Sequence, residues 1–122
     1  MLLTLAGLAG FTAVAMGAFG AHAFRDTLPP AALANYQTGA LYHLVHAVAL
    51  FGAALLARDE ATARLAAWAG YAFGIGIVFF SGSLYVLAIT GQKWLGAVTP
   101  IGGALFLAGW ALIAIAGWRA SV

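Results

Sequence analysis

Residues 65–90, LAAWAGYAFGIGIVFFSGSLYVLAIT, decide the fold of this chain. The run contains no Lys, Arg, Asp or Glu. A helix that crosses a bilayer needs about 20 consecutive, mainly apolar residues, and ionised side chains are costly in hydrocarbon. The stretch therefore predicts a transmembrane helix.

The remainder of the chain repeats this pattern on both sides. The five Lys and Arg and the three Asp and Glu residues lie between charge-free windows at 1–24, 27–57, 65–92 and 94–118. Charged residues make up 7% of the sequence, against about 25% in a typical soluble domain. We expect an all-α integral membrane protein, a single domain over 1–122 that forms a four-helix transmembrane bundle with helices at about 2–24, 36–57, 65–90 and 99–118.

The ends of these helices carry their own signals. Pro30 and Pro100 each suit the first position of a helix, where a missing N–H costs nothing, and Thr99 can cap the fourth helix. The second helix is then expected to begin near residue 30, outside the hydrocarbon. Ala21-His22-Ala23 resembles a signal-peptidase site, but no positive segment precedes it, so we expect the first helix to be a retained span.

Four crossings predict that both termini and the 58–64 loop lie on one face of the membrane. That face carries Arg58, Arg64 and Arg119, and the opposite face carries Arg25 and Lys93. The positive-inside rule then predicts cytoplasmic termini in a multi-pass protein of the cell inner membrane. The formal net charge of +2 comes from these loop residues and does not indicate a nucleic acid partner.

Glycine supplies the main packing signal, because helices in lipid associate through close contact between small residues. Gly70 and Gly74 form a GxxxG pair, and Ala13, Gly17 and Ala21 form a similar stripe on the first helix. The glycines predicted to pack are Gly17, Gly70, Gly74, Gly102 and Gly103. The pattern leaves open whether they join helices of one chain, a homo-oligomer or a larger membrane complex.

Four motifs in order carry a family resemblance: GAFGAHAF at 17–24, YxxxxxYHxxHA at 36–47, FSGSLYVLAITG at 80–91 and LGAVTPIGGALFLAGW at 95–110. With these the chain resembles the YgdD-type inner-membrane proteins, domain of unknown function 423, to which the animal transmembrane protein 256 is similar. The resemblance implies a small four-helix protein of bacterial inner membranes and related organelles. It implies no activity, ligand or site residue.

The candidate polar or ligand cluster centres on His43 and His46, which share one face of the second helix. His22 is expected on the same side of the membrane, so that all three imidazoles could meet in one half of the bundle. The other members of this candidate cluster are Tyr36, Tyr42, Ser81 and Tyr85.

Three interpretations of the histidines stay open. They could be neutral and hydrogen-bonded to Ser81, Ser83, Tyr85 or Thr99, fixing the register of the helices. They could bind haem, a quinone or a metal between helices, although no span offers a carboxylate or a thiolate ligand. They could relay protons or line the path of a small solute.

No catalytic residues are predicted, because Ser81 and Ser83 have no acid in the spans to orient a histidine base. We therefore expect no enzyme, no metal site and no cofactor. The expected function is that of a small helix-packing scaffold or accessory subunit in the lipid bilayer, and a ligand-binding or permeating bundle that uses the histidines is the alternative.

Overall fold

The computed structural model describes residues 1–122 and confirms four helices. They are α1 at Leu2–His22, α2 at Pro30–Leu56, α3 at Ala63–Thr90 and α4 at Thr99–Ser121, with a short 3-10 helix at Lys93–Ala97 before α4. Each of the four is long and apolar enough to cross a bilayer. The all-α membrane fold expected from the charge-free windows is therefore confirmed.

The helix ends differ from the predicted spans by a few residues. α2 begins at Pro30, with the proline at its N-terminus, as its fixed φ favours. Its 27 residues extend about 40 Å at 1.5 Å per residue, which exceeds a hydrocarbon core of about 30 Å. α3 ends where Gly91 adopts a left-handed conformation with φ 70°, the usual glycine signal that stops a helix.

The helices do not all contact one another equally. α2 and α3 form the most extensive pair, α4 packs along α3, and α1 packs along α2. α1 makes only slight contact with α3. A groove is therefore left open between α1 and α3 on the lipid-facing side of the bundle.

α3 and α4 are joined by phenylalanine residues that pack on glycines of the opposite helix. Added Cβ atoms would come within 2.5 Å of Phe73 at Gly109 and within 2.6 Å of Phe106 at Gly76. At Gly102 an added Cβ would collide with the backbone of Phe80. The contacting residues follow one another in opposite order along α3 and α4, as expected for antiparallel helices. The absence of a side chain at each glycine permits the close approach.

α1 packs on α2 through small residues spaced seven apart. Its buried residues are Ala6, Ala13 and Gly20, and a Cβ on Gly20 would lie 2.7 Å from the Tyr36 ring. A repeat of seven is typical of a left-handed helix seam, whereas the predicted stripe followed a spacing of four. Nothing lies within 4 Å of a Cβ added to Gly17, so Gly17 makes no contact within this chain, and its predicted role in helix packing stays a prediction for a neighbouring subunit.

The other predicted glycines lie at contacts of different closeness. A Cβ on Gly70 would meet Leu2 at 3.0 Å, whereas those on Gly74 and Gly103 would make only ordinary contacts at 3.9 and 3.8 Å. Gly102 is the closest contact of the predicted set. Gly20, Gly39, Gly76 and Gly109 also pack closely, and the GxxxG pattern did not identify them because they follow the seven-residue seams or face an aromatic ring.

Candidate functional site

His43 lies between two hydroxyl groups from two other helices. Its Nδ1 is 2.9 Å from the Tyr85 hydroxyl of α3, and its Nε2 is 3.2 Å from Oγ1 of Thr12 in α1. Thr12 also donates to the Leu8 carbonyl at 2.9 Å. One continuous series of hydrogen bonds therefore links α1, α2 and α3.

The hydrogen bonds of His43 can run in either direction, because a hydroxyl both donates and accepts. With Thr12 donating to Leu8, His43 donates from Nε2 to Thr12 and accepts at Nδ1 from Tyr85. If Thr12 donates to Nε2 instead, Nδ1 carries the proton and donates to Tyr85. Both neutral tautomers of His43 thus find two partners in the same geometry.

His46 lies one turn further along α2 and has partners of fixed polarity. Its Nδ1 is 2.8 Å from the Tyr42 carbonyl oxygen, and the indole Nε1–H of Trp110 in α4 donates to its Nε2 at 3.1 Å. A carbonyl only accepts and an indole N–H only donates. The ring is therefore held as the neutral tautomer with its proton on Nδ1.

Aromatic rings enclose His46 on several sides. The Phe106 ring stacks on the imidazole with 3.5 Å between centroids and 6° between planes. Phe73 and Trp110 lie 5.7 and 6.1 Å away, centroid to centroid, and Tyr42 stacks at 5.8 Å. His46 therefore joins α2, α3 and α4 through ring packing and α2 to α4 through one hydrogen bond.

The other predicted members of the polar cluster fall at separate places. Tyr36 is fully buried, donates to the Met16 carbonyl at 2.5 Å and packs on the Tyr85 ring. The buried hydroxyl of Ser81 has no hydrogen-bonding partner. His22 is exposed at the end of α1, and no three His, Cys, Asp or Glu side chains come together as a metal site would require.

Two residues with direct roles were missed from the sequence, namely Thr12 and Trp110. Thr12 is the only hydroxyl residue between Thr4 and Thr27, which marks it as a polar contact in the first span. Trp110 lies in the middle of α4 rather than at the headgroup level that tryptophan favours. Trp110 is 47% exposed, but an indole N–H in hydrocarbon still needs a partner, and this signal could have placed Trp110 beside a histidine.

Comparison with known proteins identifies relatives over nearly the whole chain. The profile of a family described as "Protein of unknown function (DUF423)" matches residues 16–103. The chain is 40% identical over 116 residues to the UPF0382 membrane protein YwdK of Bacillus subtilis (strain 168), covering 95% of this chain and 94% of that protein. Identity is 43% over 120 residues to a UPF0382 membrane protein of Haemophilus influenzae, covering 96% and 93%.

A third relative is the UPF0382 inner membrane protein YgdD of Escherichia coli (strain K12). It is 39% identical over 118 residues, which cover 97% of this chain and 89% of that protein. No solved structure matches the chain. The matches confirm the resemblance to YgdD-type proteins.

Proposed function

The chain belongs to the DUF423 family of membrane proteins, and from this premise we propose that it is a helix-packing scaffold or accessory subunit of the inner (plasma) membrane. The proposal assigns it no catalytic step. One observation carries it: each ring nitrogen of His43 and His46 has a hydrogen-bonding partner within the protein. The two titratable rings of α2 are thereby used as joints between helices.

This arrangement disfavours haem or metal ligation at the histidines. Ligation through Nε2 of His46 would break the bond to Trp110 and leave its indole N–H unpaired, which is costly in hydrocarbon. The aromatic rings around His46 also fill the space that a metal or haem would need. Quinone binding does not require a free ring nitrogen, so this argument does not apply to a quinone.

A scaffold requires a surface for a partner, and α1 offers one. Nothing lies within 4 Å of a Cβ added to Gly7, Gly10 or Gly17. At 100° per residue these three glycines share one face of α1, and small residues are the usual contact between membrane helices. We assign this glycine face of α1 to a homo-oligomer or to a subunit of a larger membrane complex.

The orientation follows from the charged loops. Arg58, Arg64 and Arg119 lie on the face of both termini, and Arg25 and Lys93 lie on the other face. The positive-inside rule supports cytoplasmic termini, and we include this orientation in the proposal. A cysteine introduced near residue 122 should be labelled by a membrane-impermeant maleimide only after the cells are opened. Labelling in intact cells would show that the termini lie outside the cytoplasm.

The scaffold proposal is tested by native mass spectrometry of the protein extracted in mild detergent. We expect the mass of two or more copies of the 12.5 kDa chain, or of a larger complex, without haem or stoichiometric metal. Gly10→Leu and Gly17→Leu should reduce the assembly at least several-fold. Gly117→Leu in α4, where an added Cβ also meets nothing, is the matched control and should not.

Two results would contradict the proposal. The first is a protein that stays monomeric and partnerless at all concentrations, including after cross-linking in native membranes. The second is a purified protein that carries haem or metal in stoichiometric amount and loses it in His43→Ala or His46→Ala.

A further inference from the structure

The groove between α1 and α3 has the size and lining of a small-molecule site. It encloses about 600 Å³, within the range of about 300 to 1,000 Å³ that ligand pockets occupy. On α3 it extends from Gly70 to Tyr85, about 20 Å along the helix axis. Most of its wall is aliphatic or glycine, and it opens sideways to lipid.

One region of the groove is polar. Thr12, His43 and Tyr85, the three side chains of the hydrogen-bond series, all line it. His43 and Tyr85 are only 5% and 7% exposed, so the imidazole of His43 and the hydroxyl of Tyr85 are held in place by packing. A mainly apolar pocket with a few fixed polar groups is the usual form of a binding site.

The hydrogen-bonding capacity of this region defines the head group that it would accept. When Tyr85 donates to His43, the Tyr85 oxygen keeps free lone pairs and can accept from a ligand hydroxyl. When the series reverses, His43 donates to Tyr85, and the Tyr85 proton becomes available to a ligand carbonyl. The same atoms thus serve a donor and an acceptor without movement of the helices.

The lack of charged side chains in the groove restricts the class of ligand further. No Lys, Arg, Asp or Glu lines the groove, and an unpaired ionised group is costly to bury in hydrocarbon. Phosphate and carboxylate head groups are therefore disfavoured. The fitting ligand is an uncharged lipid with a small head group that exists with carbonyl or with hydroxyl oxygens, and an apolar chain that can lie along Leu5 and Leu8.

We propose that the groove between α1 and α3 binds an isoprenoid-type quinone in either its quinone or its quinol form, with the head group on Tyr85 and Thr12. This site is independent of the scaffold proposal. The glycine face of α1 does not line the groove, and binding requires no oligomer.

The test uses the protein in phosphatidylcholine nanodiscs with an azido derivative of decylubiquinone as the photoreactive probe. We expect labelled peptides from α1 and α3, and at least a fivefold loss of labelling when unlabelled decylubiquinone or decylubiquinol is in excess. Tyr85→Phe and Thr12→Val should each weaken competition by about three- to tenfold, the usual effect of one lost hydrogen bond.

Two glycine variants provide a matched pair. Gly82→Leu fills the groove between α1 and α3. Gly52→Leu fills a second groove, between α2 and α4, that has no free polar group. At both positions an added Cβ meets nothing within 4 Å. We expect Gly82→Leu to abolish the competed labelling and Gly52→Leu to retain it. Circular dichroism and melting temperature of both variants check that each is folded.

Several outcomes would overturn the proposal. One is equal labelling in the two glycine variants, and another is labelling that excess quinone does not reduce. Equal competition by a phosphatidylcholine with a short acyl chain would assign the groove to ordinary lipid. Disulfide cross-linking between copies through cysteines at residues 8 and 78 would assign it to a second copy of the chain.

Discussion

His43 and His46 lie three residues apart on α2, yet their surroundings differ in both polarity and access. His46 is fixed as one tautomer between a carbonyl and an indole N–H and is stacked on Phe106. His43 lies between two hydroxyls and lines an open groove. Residue type alone therefore does not define the role of a buried histidine. Partners of fixed polarity hold His46 in one tautomer, whereas hydroxyl partners allow His43 either tautomer.

The largest expected difference between the two sites is in stability. His46→Ala removes a ring from an aromatic cluster and leaves the Trp110 N–H unpaired, so we expect a loss of about 3 kcal/mol in the free energy of unfolding. His43→Ala should cost about 1 kcal/mol, because lipid chains can enter the open groove and membrane hydrogen bonds are worth about 0.6 kcal/mol each. Unfolding in mixed micelles measures both, and equal losses would contradict the comparison.

A smaller effect is expected when the hydrogen-bonding partner, rather than the histidine, is replaced by an apolar residue at each site. Trp110→Phe should cost about 1 kcal/mol, because Nε2 of His46 loses its only donor. Thr12→Val should cost about 0.5 kcal/mol, since the remaining hydroxyl of Tyr85 can still pair with His43. Double-mutant cycles of Trp110 with His46 and of Thr12 with His43 separate the coupling energy of each pair from the packing of the single residues. A larger coupling energy at His43 than at His46 would contradict the comparison.

Ser81 differs from both histidines because its buried hydroxyl has no hydrogen-bonding partner. Ser81→Ala should raise the free energy of unfolding by about 0.5 kcal/mol, since it removes a polar group that is desolvated without compensation. Ser83→Ala is the matched control: its hydroxyl bonds the Phe80 carbonyl and Thr99, so that variant should lose about 1 kcal/mol. A loss in both would show that Ser81 is paired in the membrane.

The two histidines should also differ in the position of their ring protons. Nitrogen NMR of the unsubstituted protein should show His46 with its proton on Nδ1 alone, and His43 with shifts averaged between both tautomers. Trp110→Phe should leave the proton of His46 on Nδ1, because the Tyr42 carbonyl can only accept. A single fixed tautomer at His43, unaffected by decylubiquinone, would argue against the exchangeable series of hydrogen bonds.

The fold was predictable from the distribution of eight charged residues, because the cost of charge in hydrocarbon acts on every span in the same way. The candidate site was only partly predictable. The sequence placed His43 and His46 on one helix face, but their partners Thr12, Tyr85 and Trp110 come from three other helices. Which side chain meets which depends on helix rotation and register, and short-range sequence spacing does not determine either.

The glycines illustrate the same limit. A spacing of four identified Gly70 and Gly74 and also selected Gly17, which contacts nothing in the bundle. The closest contacts instead pair a glycine on one helix with a phenylalanine on another, as Gly109 with Phe73. Such a pair is visible only when both helices are considered together and in antiparallel register.

The three phenylalanine and glycine contacts between α3 and α4 also constrain how this chain can change length. Each contact requires its partner at the opposing level, and one residue inserted in α3 between Phe73 and Phe80 would rotate part of the helix by about 100° and separate at least one ring from its glycine. The connection from Gly91 to Val98 carries no such requirement. Insertions and deletions should therefore be tolerated in this connection, while the intervals within the two helices stay fixed.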